Sequence, residues 1–197
     1  MGDGAVVEVE KPLVLASASE RRQRLFRALG IPFEIVPADV DETPRPGEPA
    51  DLCALRLARA KADAVARGRD RGTIVGADTL VALGSRVIGK PRDAEDARAI
   101  LRALSGTRHE VVTGVAVRRL GAARAASGAA VTRLTLRRIP EDEIDSYVES
   151  GEAMGKAGAY AVQETADRFV EAIDGDFDNV VGLPMRLVRT LLAEVRA

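Results

Sequence analysis

Short apolar runs alternate with segments of helical periodicity from residue 13 to the C-terminus, and this alternation restricts the chain to a sheet flanked by helices. Leu13-Val14-Leu15-Ala16, Phe33 to Val36 and Thr73-Ile74-Val75 are short and apolar, as buried strands are. Arg22 to Leu29 has Leu25, Phe26 and Leu29 at helical spacing and stops at Gly30, and Ala50 to Ala66 and Ala94 to Leu104 are predicted helices. Gly84-Ser85 between Leu80–Ala82 and Arg86–Ile88 is a hairpin signature, and Val111–Val117 with Ala129–Leu136 suggests a second, longer hairpin. A helix is predicted from Pro140 to the stop at Gly151, a strand over Phe169–Ile173, a turn at Asp174-Gly175-Asp176 and a last helix from Pro184. Hairpins inside an alternating pattern make the sheet mixed and the class α/β.

Aromatic residues make up 3% of the 197 residues against 46% apolar overall, so the core must be built from Val, Leu, Ile and Ala. Met1 to Lys11 reads as a flexible tail (1–11), and 12–197 as a single domain. Net charge is −1 and no basic stripe stands out, which argues against polymeric nucleic acid as a partner. No apolar stretch approaches the ~20 residues of a membrane span, so a cytoplasmic protein with no membrane partner is expected. Cys53, the single cysteine, lies in an apolar segment and reads as a buried, inert thiol.

Three groups of residues carry chemistry. Ser17-Ala18-Ser19-Glu20-Arg21-Arg22 sits at a strand-to-helix junction, with Ser19 a natural N-cap. Arg21 and Arg22 stand in a first turn, where the helix dipole disfavours cations, a placement that makes sense if phosphates bind there; the plainer reading is a capped helix with solvated arginines. Asp78-Thr79 follows a buried strand, where a carboxylate can hold a divalent cation and orient a water, or make a local side-chain-to-backbone turn. Lysine occurs only at Lys11, Lys61, Lys90 and Lys156, and the other 25 of the 29 basic residues are arginine. Lys90 and Lys156 lie in glycine-flanked turns, where backbone can approach a ligand, and an ammonium differs from a guanidinium as a phosphate partner. Glu42, beside Asp41 ahead of a Pro-rich loop, is a candidate second metal ligand or a solvated tip. His109, the only histidine, reads as structural at a strand start. Neither a P-loop nor a Gly-x-Gly-x-x-Gly fingerprint is present.

Read in order, these segments resemble the Maf family of septum-formation Maf-like proteins, which are nucleoside triphosphate pyrophosphatases. The resemblance runs over nearly the whole chain, through Leu15–Arg22, Leu57–Ala62, Gly76–Thr79, Gly89-Lys90-Pro91, Leu104-Ser105-Gly106, His109, Thr113, Lys156–Gln163, Ile173–Asp176 and Val181–Pro184. It implies an elongated α/β structure, similar to inosine triphosphatases, with two lobes around a central cleft, often as a homodimer. It also implies Asp78 as catalytic carboxylate, with Glu42, Lys61 and Lys90 completing the acidic and basic lining, Asp78 and Glu42 holding Mg²⁺ or Mn²⁺, and Ser17, Ser19, Arg21 and Arg22 holding phosphates. Lys156 to Gln163, with Arg21 and Thr79, is similar to the branch acting on dTTP and UTP. The sequence departs from that pattern at Glu20, Ala153, Gly155 and Glu164, of which the last three border the expected base pocket. A nucleotide-sensing regulator of division and the same chemistry on a non-standard nucleotide are the alternatives; sensing would need the basic groups but not the carboxylate.

Overall fold

Among the described residues, seven strands pair into one mixed sheet in the order β2-β1-β3-β5-β6-β7, with β4 on β3. The computed structural model describes residues 9–162 and 165–196. The strands β1 (Leu13–Ala16) and β2 (Phe33–Ile35) run parallel to each other, and β1 runs parallel to β3 (Thr73–Leu83). All later pairings are antiparallel: β4 (Arg86–Ile88) on β3, β5 (Arg108–Arg119) on β3, β6 (Arg124–Leu136) on β5 and β7 (Val170–Asp174) on β6. The helices are α1 (Glu20–Phe26), α2 (Ala50–Ala66), α3 (Ala94–Leu104), α4 (Glu141–Glu149), α5 (Phe177–Val181) and α6 (Met185–Arg196). No helix among the described residues is long and apolar enough to cross a membrane.

Side chains alternate across β3, which assigns each position to one face. Ile74 packs with Ala58 and Ala62 of α2, and Leu80 with Cys53, Ala54 and Leu57 of the same helix. On the opposite face Val75 and Ala77 meet Val188, Leu191 and Leu192 of α6, while further along Val81 joins a separate cluster with Leu101, Leu104, Leu134 and Ile144. One face of the sheet thus carries α2, and the other carries two cores in succession along β3. Few aromatics suffice: Tyr147 and Phe169 meet edge to face at 5.4 Å in the second of these cores, and Phe26 meets Phe33 in the first.

The helix α2 lies unusually close to the sheet because the strands beneath it carry glycine. A Cβ on Gly76 would sit 2.3 Å from the Ala58 carbonyl oxygen, and one on Gly114 would sit 2.3 Å from that of Ala54. The small residues Ala54, Ala58 and Ala62 complete the contact from the helix side.

Two expectations are corrected. The strand read as Thr73–Val75 is longer, because β3 continues without a break through Asp78 to Leu83, and the local turn weighed for Asp78 is not formed. Gly76 marks close helix packing and not the end of a strand. The tail reading covers too much: residues 1–8 lie outside the described residues, but Glu10 takes Arg119 Nε at 3.3 Å and its carbonyl takes Thr73 Oγ1 at 2.9 Å. Val9 packs on the α6 core. The first helix begins at Glu20, two residues earlier than its periodicity suggests, because Ser19 caps it. The short helix α5 is not visible in the hydrophobic pattern.

Candidate active site

The strand β1 ends at Ala16 opposite Gly76, and β4 joins the same edge of β3 only from Val81. Between them β3 has an open edge, which holds Asp78 and Thr79. A cleft of about 1090 Å³ opens there. Asp78 lies beyond the carboxyl end of its parallel neighbour β1, so the rule that ligands gather past strand ends applies to β1 and not to β3 itself.

Asp78 and Thr79 point to opposite faces. Asp78 faces α2, where Lys61 Nζ donates to its Oδ1 at 2.6 Å. The same ammonium lies 2.6 Å from Glu42 Oε1, and Lys90 Nζ reaches Glu42 Oε2 at 3.3 Å. Asp78 and Lys61 are 5% and 7% exposed, too buried for either charge to stand without the other. Desolvation pushes the Glu42 carboxyl up, but the hydrogen bond and charge of Lys61, helped by Lys90, outweigh it and hold the group below the usual carboxylate range. The four residues form one alternating network, Asp78–Lys61–Glu42–Lys90, drawn from a strand, a helix and two loops.

Thr79 faces the first loop. Arg22 donates from Nη2 to Thr79 Oγ1 at 2.9 Å, from Nε to the Gly182 carbonyl at 2.8 Å and from Nη1 to Ser17 Oγ at 3.5 Å. Gly182 presents that carbonyl from the end of α5, where a φ of 119° suits glycine. Burial lowers the guanidinium's pKa, against the opposing pull of Asp78 and Glu42. Ser19 Oγ caps the Arg22 N–H at 3.5 Å and Ser17 Oγ takes the Ser19 N–H at 3.2 Å, so the serines are partly committed to shaping their own loop.

Of the residues expected in the site, Ser17, Ser19, Arg21 and Arg22 line the cleft on one side. Glu42, Lys61, Asp78, Thr79 and Lys90 line it on the others. Lys156 does not: it is 9% exposed, and only its neighbours Gly155 and Ala157 line the cleft. Its loop is nonetheless tied to the other glycine-flanked lysine turn, since Gly158 N–H donates to the Gly89 carbonyl at 3.1 Å. Gln163 and Glu164 lie outside the described residues.

Several residues of the site carried no separate prediction. Thr113 Oγ1 lies 2.9 Å from Thr79 Oγ1 and 3.4 Å from the Asn179 carbonyl. Asn179, fully buried, donates from Nδ2 to the Val111 carbonyl and to Thr132 Oγ1. In the sequence, polar residues inside Phe177–Val181 and Thr113 within an apolar strand are the signs of this buried chain. Arg24 and Arg92 also line the cleft, hidden in the sequence by the abundance of arginine.

His109 and Cys53 stand apart from the cleft wall. His109 Nε2 is 2.7 Å from the Tyr160 hydroxyl, and burial pushes the imidazole down to about 4, so it is neutral near pH 7. The buried Cys53 thiol is pushed up to about 11, first by desolvation and then by Glu48, which keeps it protonated and inert.

A family model described as Maf-like protein matches residues 12–195. A dTTP/UTP pyrophosphatase of Anaeromyxobacter dehalogenans (strain 2CP-C) is 50% identical over 182 residues, covering 91% of this chain and 92% of that protein. A protein of the same name from Syntrophomonas wolfei is 48% identical over 179 residues, covering 91% and 95%, and one from Myxococcus xanthus is 48% identical over 174 residues, covering 88% and 87%. Among solved structures, a HAM1 protein from Coxiella burnetii aligns with a TM-score of 0.49 at 18% identity, over 92% of this chain and 98% of that one.

Proposed function

The chain belongs to the family of Maf-like proteins, and we propose that it is a nucleoside triphosphate pyrophosphatase, cleaving dTTP- and UTP-like nucleotides to the monophosphate and pyrophosphate. The observation that carries this reading is the Asp78–Lys61–Glu42–Lys90 network in a cleft also lined by Arg21, Arg22 and Arg24. A triphosphate brings about four negative charges near neutral pH and calls for fixed cations and charge-assisted hydrogen bonds more than for apolar contact. A carboxylate among those cations is what hydrolysis adds to binding. The names of the relatives support uracil and thymine as the bases.

Asp78 and Glu42 would hold a divalent cation, Mg²⁺ or Mn²⁺. Their donors are hard carboxylate oxygens that converge on a single ammonium, and among the described residues the hydrogen bonding of Asp78 uses Oδ1 alone. No group of three or more His, Cys, Asp or Glu that could hold a metal occurs among the described residues. Such a sparse, all-oxygen set fits an ion that takes its remaining ligands from phosphate and water, as Mg²⁺ does. When bound, the ion supplies charge neutralisation across the phosphates and a more acidic water.

The protein's own groups do the rest. Asp78 orients a water and takes its proton as the water oxygen attacks the α-phosphorus in line with the bridging oxygen. The bond from the α-phosphorus to that oxygen breaks, and pyrophosphate leaves with its charge met by Lys90 and the arginines of the first loop. Ser17, Ser19, Arg21 and Arg22 hold the phosphates, while Thr79 and Gln163 serve the sugar and base; Lys156, which does not line the cleft, has no direct contact with the nucleotide in this reading. Catalysis rests on positioning and fixed charge, as is usual in phosphoryl transfer.

The test is a panel of ribo- and deoxyribonucleoside triphosphates with Mg²⁺, with pyrophosphate resolved from orthophosphate. Pyrophosphate should appear from dTTP and UTP well ahead of ATP and GTP. Orthophosphate as the first product would overturn the reaction, and a purine preference would overturn the base assignment.

A further inference from the structure

The lysine between the two carboxylates stands where a metal shared by them would bind. Lys61 Nζ is 2.6 Å from both Asp78 Oδ1 and Glu42 Oε1, and Lys90 holds the second oxygen of Glu42. Two carboxylates and two ammoniums make the cluster neutral as it stands. We propose that Lys61 is a placeholder: in the free protein it occupies the position shared by Asp78 and Glu42, so the site rejects the bare cation and accepts metal only together with nucleotide phosphates. This deepens the reading given above and rests on it.

The placement of the lysine follows from the fold. The helix α2 is packed closely onto the sheet at Gly76 and Gly114, where no Cβ could fit, so withdrawing the backbone of Lys61 would open voids in the core. Ala58 and Ala62, one turn before and next to Lys61, are fully buried. The side chain moves at lower cost, and it leaves the carboxylates when another anion takes its three N–H donors. A bare divalent ion offers no such anion; it meets a buried ammonium at the very oxygens it needs, in surroundings that screen like charges poorly. A triphosphate draws Lys61 and Lys90 onto its own oxygens and uncovers the carboxylates. Nucleotide and metal therefore favour each other's binding, and by linkage the enhancement is the same in both directions.

The experiment measures Mn²⁺ binding, not turnover. Free Mn²⁺ is followed by electron paramagnetic resonance as it is titrated into the full chain, for the unmodified protein, Lys61→Met and Lys61→Gln. A dUTP analogue with a methylene bridge between the α- and β-phosphorus is then titrated calorimetrically with and without Mn²⁺. The unmodified protein should take up Mn²⁺ alone only at about millimolar levels or above, and Mn²⁺ should tighten analogue binding by roughly tenfold or more. Either variant, checked for folding by circular dichroism, should bind Mn²⁺ alone at least about tenfold more tightly than the unmodified protein. Micromolar Mn²⁺ uptake by the unmodified free protein overturns the placeholder role even if neither variant folds, and so does a folded variant with unchanged Mn²⁺ affinity. These results leave the pyrophosphatase reading intact, since that reading falls on a different one: orthophosphate in place of pyrophosphate as the first product from dTTP or UTP.

Discussion

Gly76 on β3 lies directly beneath Ala58 on α2, with the carbonyl oxygen of the alanine 2.3 Å from where a Cβ would stand. The closeness of that contact lets a lysine one turn along the helix reach Asp78 two residues along the strand. Stability and the site therefore share one packing contact. Gly76→Ala should lower stability by about 1–3 kcal/mol or more, since the obstructing atoms are backbone and cannot rotate away. Gly89→Ala, where a Cβ meets nothing within 4 Å, should leave stability unchanged. Urea unfolding of the two variants checks this, and equal midpoints would show that α2 lifts off the sheet at no cost.

The same glycine explains what the sequence could and could not say. The α/β class, the mixed sheet and the hairpins follow from periodicity, and a lone carboxylate after Thr73-Ile74-Val75 marks Asp78. The continuation of that strand through Gly76, however, is not legible, because a glycine that lets a helix pack closely looks identical in sequence to one that ends a strand. The rarity of lysine points to Lys61 and Lys90, but their meeting at Glu42 depends on a loop with no periodicity at all. Thr113 and Asn179 are 66 residues apart in the chain, and only the pairing of β3 with β5 and the seat of α5 bring them to Thr79. Charge density hides Arg24 and Arg92 for the opposite reason, since nothing distinguishes them from the other arginines.

Asp78→Asn keeps the size of the side chain and removes its charge. Lys61 keeps Glu42 as a partner at 2.6 Å, so the buried ammonium is not stranded and the fold should persist. Turnover of dTTP should fall ~10²-fold or more, the usual loss when an essential base or metal ligand is removed. A folded variant with near-full activity would take Asp78 out of the chemistry.

The single histidine gives a pH dependence with a definite sign. Burial pushes His109 down to about 4 in the folded protein, whereas in the unfolded chain it titrates near its ordinary 6.5. Its contribution is complete above pH 6.5 and is lost as pH falls from there to about 4, because in that window the unfolded chain binds a proton that the native state refuses. The slope is at most about 1.4 kcal/mol per pH unit. Between pH 7 and pH 5 the unmodified protein should lose up to about 2 kcal/mol more than His109→Gln, measured by urea unfolding at both pH values. Parallel losses in the two proteins would mean that the imidazole is open to protonation in the native state.

Arg22 is the residue whose role most needs to be divided. Its Nε, Nη1 and Nη2 reach Gly182, Ser17 and Thr79, which belong to α5, the first loop and β3, so it ties three segments together as well as lining the cleft. The remaining N–H groups of the guanidinium are left for phosphate. A lysine keeps the charge but cannot span three acceptors in one plane. Arg22→Lys should therefore lose about 2 kcal/mol of stability, because hydrogen bonds from a charged donor are lost, although Thr79 Oγ1 still pairs with Thr113 Oγ1 and the Gly182 carbonyl. It should also lower kcat/KM for dTTP by ~10-fold or more, because Thr79 and the Gly182 carbonyl lose the group that fixes them against the nucleotide. Raising the temperature of the assay to the point where both proteins are still fully folded separates the two effects. If stability falls while kcat/KM is unchanged, Arg22 is a clamp only and the phosphates must be held by its neighbours; if kcat/KM falls with no loss of stability, the three hydrogen bonds are not what holds α5 against the first loop.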